Sequence, residues 1–154
     1  MKLSKNLSLS EMTKSRTASR LGIDNSPTPD HFKNMQVLAN KIFQPIRDYF
    51  GVSFSVSSGY RSEALNKAIG GSTKSQHCKG QAIDIDRDYR HDPNNAQVFH
   101  YIKDNLEFDQ LIWEFGAEPK WIHVSWNKKK NRKQVLVTKR KGKYYLYTDC
   151  KGCK

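Results

Sequence analysis

Gln81-Ala82-Ile83-Asp84-Ile85-Asp86 is the stretch from which the fold can be read. Its alternation has a period of two, so Ile83 and Ile85 face one side of a strand and Asp84 and Asp86 the other. Strands are depleted in Asp. Two on one face require either solvent or a cation. A second stretch, Trp121-Ile122-His123-Val124-Ser125-Trp126, repeats the pattern. There Ile122 and Val124 turn to the core, and His123 shares the other face with Trp121 and Ser125. His77 stands seven residues before Asp84, across Gly80. A loop histidine and a strand aspartate can converge from neighbouring backbone, and His123 can join them from an adjacent strand.

Working outward, helical patterns come mainly early and strands late. Ser8 and Glu11 have capping-box spacing, and a short helix is expected to run to Arg20 and stop at Gly22. Asn25 to Pro29 reads as a connector, with Thr28 as cap and Pro29 in the first helical position of the next helix. Met35, Leu38, Ile42, Ile46 and Tyr49 recur at helical spacing and are expected to face the core. Pro45 should kink this helix, and Gly51 should end it. Val52–Ser57 reads as a strand, Ser62–Ile69 as a brief helix, and Asp92–Leu106 as another. Gln110–Phe115 and Trp121–Trp126 read as strands. Val135–Val137 and Tyr144–Tyr147 flank a Gly142 turn as a final hairpin. The expected fold class is α+β, an antiparallel sheet with helices packed on one side.

The chain has 154 residues, enough for one closed core. A single domain over 1–154 is expected, with 1–7 and 149–154 as mobile tails. Seven Phe, seven Tyr and three Trp supply bulky core material. The formal net charge is +12. Much of the excess lies between Lys128 and Lys143, a stretch without acids. It reads either as a hairpin kept soluble by charge or as a dock for an acidic surface. No nucleic-acid motif accompanies it, so no nucleic-acid partner is expected. Three cysteines, Cys78, Cys150 and Cys153, make no disulfide framework. Cys150 and Cys153 form a lone C-x-x-C and read as incidental thiols in a tail. Met1–Ser10 lacks an apolar signal core, so cytoplasmic synthesis without a signal peptide is expected. No apolar run approaches the length of a membrane span.

Two imidazoles and one carboxylate suit one zinc ion per chain, with the fourth tetrahedral position left for water. A closed structural site would want a fourth protein ligand. Cys78 is the rival for that place, but residues adjacent in sequence rarely reach one metal together. Zinc lowers the pKa of bound water to roughly 7, and hydrolysis then needs a carboxylate to move the proton. Glu114, an acid in the apolar run Leu111-Ile112-Trp113-Glu114-Phe115, is the candidate, since burial would raise its pKa. The plain alternative is a strand-end glutamate reaching water. Glu118, in the turn Gly116-Ala117-Glu118-Pro119, is the second candidate. Arg61, after the Ser57-Ser58-Gly59-Tyr60 turn, could pair with a substrate carboxylate or carbonyl, or simply with Glu63.

Ser58-Gly59-Tyr60-Arg61-Ser62, Leu65-Asn66, Gly70-Gly71, Ser75-Gln76-His77, Gly80-Gln81-Ala82-Ile83-Asp84 and Trp121-Ile122-His123-Val124-Ser125 together resemble the zinc D-Ala-D-Ala carboxypeptidase family, peptidase family M15, in its small phage-type branch. The S-x-H-x-x-G-x-A-x-D core is complete in Ser75, His77, Gly80, Ala82 and Asp84. The resemblance implies the α+β fold shared with the hedgehog signalling domain and zinc on His77, Asp84 and His123. It also implies a peptidoglycan stem-peptide substrate, with Arg61 and Ser75 holding that substrate and Gln76 as an accessory contact. The chain departs from some relatives at Trp121, where they carry His, and from others at Lys120, where they carry an acid. Glu114 matches the acid of the phage-type branch.

The sequence reading is therefore a zinc peptidase cutting peptidoglycan peptides, as carboxypeptidase, endopeptidase or phage endolysin. It would be a monomer acting at the bacterial wall or periplasm after release, held on anionic envelope polymers by the basic hairpin. The rivals are a non-catalytic, zinc-containing wall-binding module and a polyanion-binding protein with incidental histidines.

Overall fold

The computed structural model describes residues 1–88 and 90–149. Cys150 and Cys153, read above as incidental, lie outside the described residues. The first residues, expected to be mobile, form a small antiparallel pair, β1 (Lys2–Ser4) and β2 (Leu7–Ser8). Leu3 and Leu7 are buried in the main core, and that apolar burial is what fixes the start of the chain.

Ser8 caps α1 (Leu9–Thr13) through the full capping box with Glu11. The helix expected to continue to Arg20 is broken. Ser15 is extended and caps a second helix, α2 (Arg16–Leu21), which Gly22 closes in the left-handed region. A cap side chain that satisfies the Ala18 N–H competes directly with helix continuation. Thr28 caps α3 (Pro29–Leu38), with Pro29 in the first turn. The expected Pro45 kink takes the form of a widened π-helical segment, Ala39–Phe43, before α4 (Gln44–Phe50). A wider turn accommodates the missing N–H and the ring of Pro45. Met35, Leu38, Ile42 and Ile46 are buried as expected. Tyr49 is not in the core. It is 65% exposed and stacks on Tyr101, with ring centroids 4.1 Å apart.

β3 (Ser55–Ser58) leads to α5 (Glu63–Ala68) and a short 3₁₀ turn at Gln76–Lys79. β4 (Ala82–Asp86), α6 (Asn95–Asn105), β5 (Gln110–Glu114) and β6 (Trp121–Ser125) follow. β7 (Gln134–Arg140) and β8 (Lys143–Leu146) form the last hairpin. The main sheet has the order β3-β4-β6-β5-β7-β8. The α+β class holds, and four of the five pairings are antiparallel. The exception is β5 with β7, which run parallel.

One face of this sheet carries Ile83, Ile85, Leu111, Trp113, Ile122, Val124 and Val137, all buried against α3, α4 and α6. Phe99 of α6 meets Trp113 edge-on at 5.1 Å, and the Trp113 indole N–H is satisfied by the Gly116 carbonyl at 2.9 Å. Each such large side chain contributes about 1.5–3 kcal/mol by burial. The helices thus seal one face and leave the other for the site. Among the described residues, no helix is long and apolar enough to cross a membrane.

Candidate metal centre

The open face is ordered by register. Asp84 on β4 pairs with His123 on β6, and His123 pairs with Ile112 on β5. Paired residues share a face, so the carboxylate and imidazole meet as the alternation required. The His123 Nδ1 lies 2.9 Å from the Asp84 Oδ1. His77 arrives from outside the sheet. The Ser75 hydroxyl accepts from the His77 backbone N–H at 3.3 Å and starts the 3₁₀ turn. Gly80 ends it with φ 66°, where an added Cβ would lie 2.5 Å from the His31 carbonyl oxygen. Only glycine fits there, and the chain swings directly into β4. His77 Nε2 then lies 3.4 Å from Asp84 Oδ1.

A second glycine sets the tautomer. Gly59 approaches the α1 backbone so closely that a Cβ would lie 2.3 Å from the Met12 carbonyl oxygen. Its own carbonyl accepts from His77 Nδ1 at 2.7 Å. A carbonyl can only accept, so Nδ1 carries the proton and the Nε2 lone pair faces Asp84.

Among the described residues, His77, Asp84 and His123 form a group able to hold a metal, with ligand atoms all within 4.8 Å of one another. Tetrahedral donors at zinc bond lengths of 2.0–2.1 Å stand roughly 3.3 Å apart. The spacings of 2.9 and 3.4 Å bracket that value. His77 is 2% exposed, and burial pushes its pKa down, which keeps the ring a neutral donor. Burial alone would raise the Asp84 carboxyl, but the two imidazoles beside it pull it well below the ordinary carboxylate range. A carboxylate flanked by two imidazoles is a donor set that suits a divalent cation. Cys78 is half-buried, its thiol is pushed up by burial, and it is not part of the group.

Around this group lies a cleft of about 790 Å³. Glu114 lines it, one step further along β5 than Ile112 and on the same face. As the diagonal neighbour of His123 it stands at roughly 7–8 Å between Cα atoms. It is 8% exposed, and burial raises its pKa to about 7. Glu118 is exposed and lines a separate small cavity with Asp86 and Asn95, so the structure brings Glu114 to the cleft and not Glu118.

Arg61 also lines the cleft and donates to the Ser75 hydroxyl at 3.2 Å. Its Nε is buried without a hydrogen-bond partner, and among the described residues no salt bridge joins it to Glu63. The cleft therefore holds a cation available to an incoming acceptor. Gln76 lines the cleft too, but its amide N–H is taken by Asp109 Oδ2 at 2.9 Å. Sequence reading missed Asp109. It is buried and receives Arg132 through Nε at 2.8 Å and a second guanidinium N–H at 3.0 Å. Arg132 is thus one cation of the basic stretch already paired. Tyr144 was missed as well. Its strand was foreseen, but not that its ring lines the cleft.

A sheet that shows two imidazoles and a carboxylate at the bottom of an open cleft, with a raised glutamate on the same face, has the parts of a metal-dependent hydrolase. The chain belongs to the peptidase M15 family, whose model matches residues 5–125. Peptidases of this family are zinc-dependent. No curated protein matches the chain. The family match ends at Ser125, so β7 and β8 lie beyond it.

Proposed function

We propose that this chain is a zinc peptidase that hydrolyses peptidoglycan peptides, with one zinc held by His77, Asp84 and His123. The observation that carries the reading is the meeting of three donor atoms within 4.8 Å on the same face as a buried glutamate. The chemistry zinc supplies when bound is polarisation of a carbonyl and acidification of water to a pKa of about 7. The protein's own groups do the rest. The Gly59 carbonyl holds His77 in the donor tautomer. Glu114 accepts a proton from the attacking water and delivers it to the leaving amine nitrogen, a task suited to a carboxyl poised near 7. Arg61 and Ser75 hold a carboxylate or carbonyl of the substrate, the guanidinium having no salt bridge to an acid among the described residues. Glu114, in place beside the three donors, weighs against a merely wall-binding module.

The test is mass spectrometry of muropeptides released from bacterial sacculi by a muramidase, incubated with the protein with and without 1,10-phenanthroline. Cleaved peptides are expected only without the chelator, and added zinc restores them. Loss of a terminal residue marks a carboxypeptidase, and splitting of the stem or cross-link marks an endopeptidase. Muropeptides unchanged by zinc-loaded protein overturn the reading.

The exposed Lys139, Arg140, Lys141 and Lys143 of the hairpin support a second contact, with anionic wall polymers. Co-sedimentation with purified walls should fall severalfold between about 0.05 and 0.5 M salt. Binding that ignores salt removes this role.

A further inference from the structure

The hairpin beyond the family match does more than carry charge. Its strands extend two rows of the cleft face. One row runs Asp84, His123, Ile112, Leu136, Leu146 across five strands. The neighbouring row runs Trp121, Glu114, Thr138, Tyr144. The first row changes from metal donors to an apolar floor at Ile112, and Leu136 continues that floor along the cleft. The second row flanks it. The Thr138 hydroxyl is held by the Arg140 and Lys143 carbonyls at 2.8 and 2.7 Å, which pins the hairpin end. Tyr144, paired with Thr138, is 53% exposed and lines the cleft, its phenol within the fields of Glu114 and Asp84. On the far side of the floor, Gln110 donates to Gln134 at 2.7 Å and closes the trough.

Arg61 stands at the opposite end, after β3. A peptide held there and crossing the donor group must run along this floor. Strands lie about 4.8 Å apart, so Leu136 is roughly 10 Å from His123, the span of about three extended residues.

We propose that the β7–β8 hairpin builds a substrate subsite in which Ile112 and Leu136 floor a pocket for an apolar side chain of the peptide and the Tyr144 hydroxyl hydrogen-bonds its backbone. The proposal rests on the peptidase reading above and assigns specificity to residues 136 and 144, which that reading does not use. Tyr145 provides a built-in control. It pairs with Val137 and so faces the other side of the same strand.

The experiment uses the full zinc-loaded chain and the muropeptide digest as probe. Tyr144→Ala and Leu136→Thr should each raise KM about tenfold with kcat within about twofold, and Tyr144→Phe should lower kcat/KM about fivefold. Tyr145→Ala should match wild type. Zinc content and melting temperature report that each variant is folded and loaded. In a Glu114→Gln background, calorimetric binding of the uncleaved muropeptides should weaken by the same factors. If wild type cleaves the digest while the Tyr144 and Leu136 variants equal Tyr145→Ala in both rate and binding, the subsite is refuted and the peptidase reading stands. If wild type neither binds nor cleaves, both fall.

Discussion

Asp84 and Glu114 sit on one face of one sheet, separated by a single strand, and their surroundings drive them apart. At the β4 end, Asp84 has an imidazole on each side, at 2.9 and 3.4 Å, and is held ionised despite its burial. At the β5 end, Glu114 lies between Trp121 and Thr138 of the flanking strands, and burial raises it to about 7. Two carboxylates whose environments separate their pKa values take different roles. The first stays charged and could hold a cation. The second can exchange a proton near neutral pH.

That contrast breaks most visibly under isosteric substitution. Asp84→Asn keeps the shape and the His123 contact but removes the charge between the rings. It should lose stoichiometric zinc on dialysis and, with it, activity by about 1,000-fold or more. Glu114→Gln should keep one zinc per chain and lose about 10²–10⁴ in kcat. Metal analysis by mass spectrometry alongside muropeptide turnover separates the two. If Asp84→Asn retains full zinc, or Glu114→Gln retains full rate, the division of labour between the ends is wrong.

The Asp84 end was the more legible in sequence. Alternation in 82–86 and 121–126 fixes which side chains share a face, and the pairing of Asp84 with His123 then follows from β4 and β6 being neighbours. Glu114 was visible as an acid in an apolar run, and its burial matches that pattern. The remainder depends on partners that alternation does not encode. Hydrophobic period two says nothing of strand direction, so the parallel β5–β7 pairing was not foreseen, nor the arrival of Tyr144 over the cleft. Asp109 carried no signal in the sequence, because its guanidinium partner lies 23 residues away, on Arg132. Tyr49 obeyed helical spacing but found an aromatic partner at the surface instead of the core.

The smallest effect sharpens the Glu114 end alone, in chelator-treated protein. A carboxyl raised from 4.5 to about 7 by burial keeps its proton in the folded chain while the unfolded chain releases it. Below pH 4.5 both states are protonated and Glu114 contributes no pH-dependent difference. Between 4.5 and 7 the folded state binds more protons, so stability falls as pH rises, and above 7 the penalty is complete and constant. Glu114→Gln removes it. The variant should gain about 1–2 kcal/mol over wild type at pH 8, with the gap closing as pH drops to 4.5, read from urea denaturation at several pH values. Zinc favours the ionised carboxylate, so saturating metal should narrow the gap. A gap independent of pH would mean that packing, and not the buried charge, distinguishes this end of the cleft from the one at Asp84.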